Sequence, residues 1–174
     1  KLETYGFNAL CCASSDNTIK QLYINYTKRM RDEIGVKFQT VVHNATNADY
    51  EGVVNVKNDI VTDVVSEKIN AIYWVTGIIA SCAINKSNTN KIYDGEYEVD
   101  VNYTQARLEE CLDKGEFVLH KVGNDVRVLE DINSLVTLTD EKGEDFKSNQ
   151  TIRVIDQVAT DISTLFNTRY LGNV

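Results

Sequence analysis

The sequence predicts a mixed α/β fold, also describable as α+β, in which a mixed β-sheet is flanked by helices. Three observations carry this expectation. Apolar residues recur at helical spacing from Ile19 to Ile34 and from Ile152 to Phe166. Short valine-rich runs lie between those segments, and clusters of Ser, Asn, Asp or Gly punctuate most of the boundaries. The chain has 174 residues, 43% hydrophobic and 25% charged, an ordinary globular composition with enough length to bury a sizeable core.

Phe7 to Ala13 reads as a strand that delivers the chain to the polar turn Ser14 to Thr18, which supplies a helix N-cap. From there Ile19, Leu22, Tyr23, Tyr26, Met30 and Ile34 form an apolar stripe, and Gly35 stops the helix. The opposite face carries Lys20, Lys28, Arg29 and Asp32, so the helix is expected to cover a sheet with its stripe and to meet solvent or a partner with its charges. Val36 to His43 and Gly52 to Lys57 are expected strands, separated by the turn segment Asn44 to Asp49. A second helix is expected from Ser66 to Ile84, capped by Ser66 and central in its domain, with Trp74 in the core. The polar connection Asn85 to Asn102 leads to a short helix, Thr104 to Lys114, closed by Gly115. Glu116 to Lys121 and Asp125 to Leu129 flank Gly123 and Asn124 as a tight hairpin, and Thr151 to Tyr170 ends the chain as an amphipathic helix. The expected division is a central domain over 1–115 and the start of a second over 116–174.

The formal net charge is -8, which argues against nucleic acid or an anionic membrane surface as the main partner. Residues 1–93 are nearly balanced, with 10 Lys/Arg against 9 Asp/Glu, whereas residues 94–147 carry 6 against 15. The acidity is therefore local, a solvated face or one that meets a basic patch on a neighbour. Cys11, Cys12, Cys82 and Cys111 lack metal-type spacing and read as reduced thiols, which suits a reducing cytoplasm better than secretion. No signal peptide is visible, and the most apolar run, Ala71 to Ile84, is too short to span a bilayer. The first residue is Lys1 and the last residues are Gly172, Asn173 and Val174, so a piece of a longer polypeptide is expected.

Catalytic constellations are not legible. His43 and His120 are the only imidazoles, there is no Gly-x-Ser-x-Gly elbow and no Cys-x-x-Cys. The pairs Glu109/Glu110, Glu130/Asp131 and Glu144/Asp145 are adjacent in sequence, which does not place two carboxyls across a cleft. The remaining candidate is the Ser14 to Thr18 strand-to-helix turn, whose amides could hold an anion in a small-ligand-binding or enzymatic α/β domain. Ser, Asp and Asn there are equally what a helix cap requires. A secreted adhesion module is a third reading, and it requires paired cysteines. No catalytic residue, metal or cofactor is expected.

Trp74, Val75 and Gly77 are followed by Asn85, Lys86, Ser87 and Thr89, and then by Tyr93, Asp94 and Gly95. Further on stand Val126 to Asn133 with Leu135, then Phe146 and Lys147, Arg153 to Asp156, and Tyr170 with Gly172. In this order and spacing the motifs resemble contractile phage tail sheath proteins, closest to the small sheaths of phages and phage-like particles of Gram-positive bacteria. The likeness covers about residues 70–174 well, and residues 1–69 are compatible with the family's central domain. It implies a structural subunit, not an enzyme, in a contractile tail or injection particle. Implied partners are other copies of the sheath protein, joined through terminal arms not seen in this sequence, the tail tube protein and the baseplate, with no nucleic acid and no membrane insertion. The implied location is the virion tail, assembled in the host cytoplasm.

Overall fold

The computed structural model describes residues 6–171. At its centre lies a parallel sheet in the order β1-β2-β3-β4, formed by Ala9–Cys11, Gln39–His43, Val53–Val56 and Glu116–Phe117. Parallel neighbours need a crossover. Helix α1 (Asn17–Arg29) supplies it between β1 and β2, and α2 (Ala71–Ser81) and α3 (Gln105–Asp113) lie between β3 and β4. The β2–β3 connection has no helix and turns instead on Asn44 and Asn47, at left-handed φ of 43° and 55°. Asn tolerates this region better than other non-glycine residues.

Strands β2 and β3 are buried on both faces, which is why they read as valine runs without polar alternation. Val41, Val54 and Val56 join Ile72, Val75, Ile78 and Ile79 of α2 in one core. Val42 and Val53 point the other way and pack with Ile24 of α1, Cys12 and Tyr50. The sheet is therefore sandwiched between α1 and α2, while Leu108, Cys111 and Val118 form a smaller cluster beneath α3.

Helix α1 runs on through a π turn, Met30–Ile34, to Gly35 at φ 85°. Its inward face is not the expected stripe. Lys20, Ile24, Thr27, Met30 and Arg31 are buried, whereas Ile19, Leu22 and Ile34 face out, Leu22 at 63% exposure. The sheet satisfies the polar members of this face: Thr27 Oγ1 lies 2.6 Å from Thr40 Oγ1, and Arg31 Nη1 donates to the Phe38 carbonyl at 2.7 Å. Lys20, expected on the outer face, is 4% exposed, and burial holds its pKa below the ordinary lysine value.

A 3₁₀ segment, Val65–Asn70, precedes α2, so Ser66 is not its cap. Tyr73, Gly77, Ala80 and Ser81 are exposed, which makes α2 a flanking helix with one wet face instead of a helix buried all round. Thr104 Oγ1 accepts from the Arg107 amide at 3.3 Å to start α3, and Gly115 ends it at φ 65°. A Cβ at Gly115 would also lie 2.9 Å from the Ser134 backbone. The expected strand 116–121 divides at Val118. β4 completes the parallel sheet, and β5 (Leu119–Val122) pairs antiparallel with β6 (Asp125–Val128) around Gly123 and Asn124. Leu119 and Val128 enter the same core as α2, so the hairpin is packed onto the sheet layer. Helix α4 spans Asn149–Leu165, capped by Ser148, and continues in a π turn, Phe166–Tyr170.

Candidate functional site

Two ion pairs fasten the first turns of α4 to the body. Arg31 Nη1 and Nη2 donate to the two carboxylate oxygens of Asp156 at 2.7 and 2.8 Å, a bidentate pair. Burial works against the Arg31 charge, but the Asp156 carboxylate outweighs it and the pKa lies above the ordinary arginine value. Arg153 Nη2 donates to Asp131 Oδ2 at 2.6 Å, and that carboxylate is 1% exposed. Asp131 also accepts from the Asn88 amide and from Asn149 Nδ2, both at 2.9 Å. Asn149 Oδ1 in turn accepts from Gln39 Nε2 of β2 at 2.7 Å. Asp131 and Asn149 thus answer one another and their neighbours in one polar hub, while Arg153 Nε and Nη1 are buried in it without a hydrogen-bond partner among the described residues.

The sequence motifs converge on this hub. Thr89 Oγ1 accepts from the Asp131 amide at 3.0 Å, the Lys86 carbonyl accepts from Arg153 Nη2 at 2.9 Å, and Asn133 Nδ2 donates to the Phe146 carbonyl at 2.7 Å. The Asn-Lys-Ser-x-Thr, Asp-Ile-Asn, Phe-Lys and Arg-Val-Ile-Asp segments thus hold one another in place. Trp74 and the Tyr-Asp-Gly turn form a separate contact. Trp74 Nε1 donates to Asp94 Oδ1 at 2.7 Å, and its ring meets Tyr93 edge-on at 4.8 Å. Trp74 is half-buried, a correction to its expected place in the core.

Beyond its clamp α4 is turned the wrong way round for a surface helix. Arg153, Asp156, Gln157, Thr160, Ser163 and Thr164 face the body across a groove of about 410 Å³, whose other wall includes Val36, Phe38, Ile79 and Ile84. Ile155, Val158, Ile162, Leu165 and Phe166 face away, each 41 to 63% exposed. An isolated surface helix puts its apolar stripe inward.

The other sequence candidates fall into ordinary roles. In the Ser14 to Thr18 turn, Asp16 is the N-cap and its carboxylate accepts from the Thr18 amide at 2.7 Å, while Ser14 Oγ accepts from the Asp16 amide. A capping carboxylate already sits where an anion would bind. His43 is buried with Nε2 2.9 Å from Asp59 Oδ1, and burial holds its pKa below the ordinary value despite that carboxylate. His120 lies on the hairpin. Glu110 bridges Lys114 and Arg107, and these two cations pull its pKa down to about 2. Glu109 accepts from Gln105, Asp131 belongs to the hub, and Glu144 pairs with Lys147. Burial raises the pKa of all four thiols, to about 11 for Cys111. Among the described residues no group of three or more His, Cys, Asp or Glu could hold a metal, and no helix is long and apolar enough to cross a membrane. Arg31 and Gln39 had no signal in the sequence, because their partners lie 125 and 110 residues away.

Comparison with known proteins agrees with the motifs. A family model for the phage tail sheath protein central domain matches residues 1–134. The tail sheath protein of Clostridium phage phiCD119 is 30% identical over 174 residues, covering 98% of this chain and 48% of that protein. The crystal structure of a sheath tail protein from Desulfitobacterium hafniense superposes with a TM-score of 0.88 at 36% identity, over 99% of this chain and 42% of that one. The fold alone extends to the contracted helical sheath of the anti-feeding prophage, at 14% identity and a TM-score of 0.64 over 92% of this chain and 47% of that one. The chain spans less than half the length of these relatives. On its sequence motifs, its fold and these matches, the chain belongs to the phage tail sheath protein family.

Proposed function

We propose that this chain is part of a structural subunit of a contractile tail sheath, which surrounds a tail tube and shortens by rigid-body rearrangement of its subunits. The match of residues 1–134 to the sheath central domain carries this reading. The fold is consistent with a body that moves as a unit: a sheet covered on both faces, with α4 locked to it by two ion pairs. Rearrangement of such bodies exchanges contacts at their surfaces while each core stays packed.

The expected partners are further copies of the sheath protein, the tail tube protein and the baseplate, with neither nucleic acid nor membrane involved, and the expected place is the virion tail after assembly in the host cytoplasm. The acidic segment 94–147 supplies charge for contacts between copies. The subunit works without catalytic turnover or a cofactor. The division into a central domain over 1–115 and the start of a second over 116–174 belongs to the same proposal. Co-expression of the full coding sequence that contains residues 1–174 with a tail tube protein from the same source, followed by negative-stain electron microscopy, tests the proposal. Regular sheathed tubes are expected. Bare tubes beside soluble, monomeric protein would overturn it.

A further inference from the structure

We propose that the outward seam of α4 is a docking surface for another segment of the same polypeptide, outside residues 1–174, and not for a second copy of the subunit. This rests on membership of the sheath family, not on contraction. Ile155, Val158, Ile162 and Leu165 follow the alternating three-and-four spacing of a helix-packing seam, with Phe166 beside it. On the opposite side Gln157, Thr160, Ser163 and Thr164 line the groove toward the body. The clamp fixes this orientation, because Arg153 and Asp156 lie on the groove side and are paired to Asp131 and Arg31. The helix therefore cannot roll its apolar side inward without breaking both ion pairs. From residue 160 to residue 171 every position is exposed.

The size of the seam decides between occupants. Five side chains, each about half exposed, present on the order of 400 Å². A stable complex of separate molecules buries about 800 Å² per partner. The seam also spans only two heptads, whereas a self-standing coiled coil needs roughly three to four. Two copies meeting through α4 alone would thus separate at ordinary concentrations. A tethered segment faces no such requirement, since the linker sets an effective concentration in the millimolar range. The family relatives have the material, because 52% of the Clostridium phage protein and 58% of the Desulfitobacterium protein lie outside the matched region. The occupant is expected to be amphipathic, offering an apolar face to the seam and uncharged polar groups at its borders.

Hydrogen exchange over residues 158–170 tests the inference, measured on residues 1–174 and on the full coding sequence that contains them, kept monomeric. Exchange is expected to be at least about 100-fold slower in the longer monomer. Ile162→Asp is expected to leave the melting temperature of residues 1–174 unchanged and to remove the added protection in the longer chain. Equal exchange in the two monomers, with slowing only on assembly, would assign the seam to a neighbouring subunit or the tube and overturn the proposal. So would a stable dimer of residues 1–174 with a protected α4, an Ile162→Asp variant that keeps the added protection, or a reading frame with nothing outside these residues. Tube formation is scored separately: sheathed tubes built from monomers with an unprotected α4 would sink the docking and leave the sheath reading intact.

Discussion

Asp131→Ala removes the acceptor at the centre of the polar hub. The carboxylate is 1% exposed and receives three donors, Arg153 Nη2 at 2.6 Å and the Asn88 amide and Asn149 Nδ2 at 2.9 Å. Deleting one member of a buried ion pair costs about 3 to 5 kcal/mol, because the other charge is left buried and unpaired. Two further donors lose their acceptor, at about 1 to 3 kcal/mol each before relaxation. Arg153 offsets part of this by turning into the adjoining groove, which it lines. We therefore expect a loss of about 4 kcal/mol. For a chain of this size that lowers the melting temperature by roughly 8 to 16 °C. Urea unfolding followed by circular dichroism should show the midpoint falling by about 2 M with an unchanged slope of about 2 kcal/mol/M. The double variant Asp131→Asn/Arg153→Met should recover more than half of the loss, since no charge is stranded. A decrease below about 1 kcal/mol for Asp131→Ala would show that the hub contributes little and that α4 is held by its apolar first turn at Ile152.

Trp74→Ala removes an edge-on contact with Tyr93 and a hydrogen bond to Asp94, so a loss of about 2 kcal/mol is expected, less than the 3 to 5 of a fully buried aromatic. Thermal melts decide it, and a shift of more than about 15 °C would put Trp74 back in the core. The pKa of His43 is lowered, by burial first and by nearby Lys20, against the opposing pull of Asp59. The unfolded chain therefore binds the proton more readily, and stability should fall as pH drops below the ordinary value near 6.5 toward the lower folded value. Chemical unfolding between pH 7.5 and 5.5 should show this slope, and His43→Gln should flatten it. Residues 1–174 alone should stay monomeric or form small oligomers without tubes, because exposed charge pairs contribute at most about 1 kcal/mol each. Light scattering and negative-stain microscopy at high concentration check this, and long regular tubes would contradict it.

The sequence was most legible in the kind and extent of its elements. Both long helices, the valine strands and the Gly35, Gly115 and Gly123 turns stand close to where periodicity and turn chemistry put them. It was least legible where polar groups are buried. The inward face of α1 contains Lys20, Thr27 and Arg31, which a hydrophobicity pattern assigns to solvent. What makes that face buriable is supplied from a distance, by Thr40, Phe38 and Asp156. The continuous run 116–121, apolar at Phe117, Val118 and Leu119 in succession, likewise concealed a change of sheet at Val118, since residue patterning does not say which partner a strand takes. The hub residues Asp131 and Arg153 were visible as motif members but not as a pair. The family resemblance found the right residues, and only the geometry showed that they anchor a helix.

The span between Arg31 and Asp156 has a consequence for how the chain is made. At about 5 to 20 residues per second, a ribosome needs roughly 6 to 25 s to add the residues that separate them. During that interval the second and third strands follow α1, but the guanidinium destined for burial has no counter-ion and Gln39 has no Asn149 to meet. Loop-closure entropy further delays so non-local a contact. Arg31 and Gln39 must therefore stay hydrated until the last helix arrives. Docking of α4 then supplies both partners in one step, so a chain that stops short of Asn149 should be left with Arg31 and Gln39 lacking these contacts and should unfold at lower denaturant than residues 1–174.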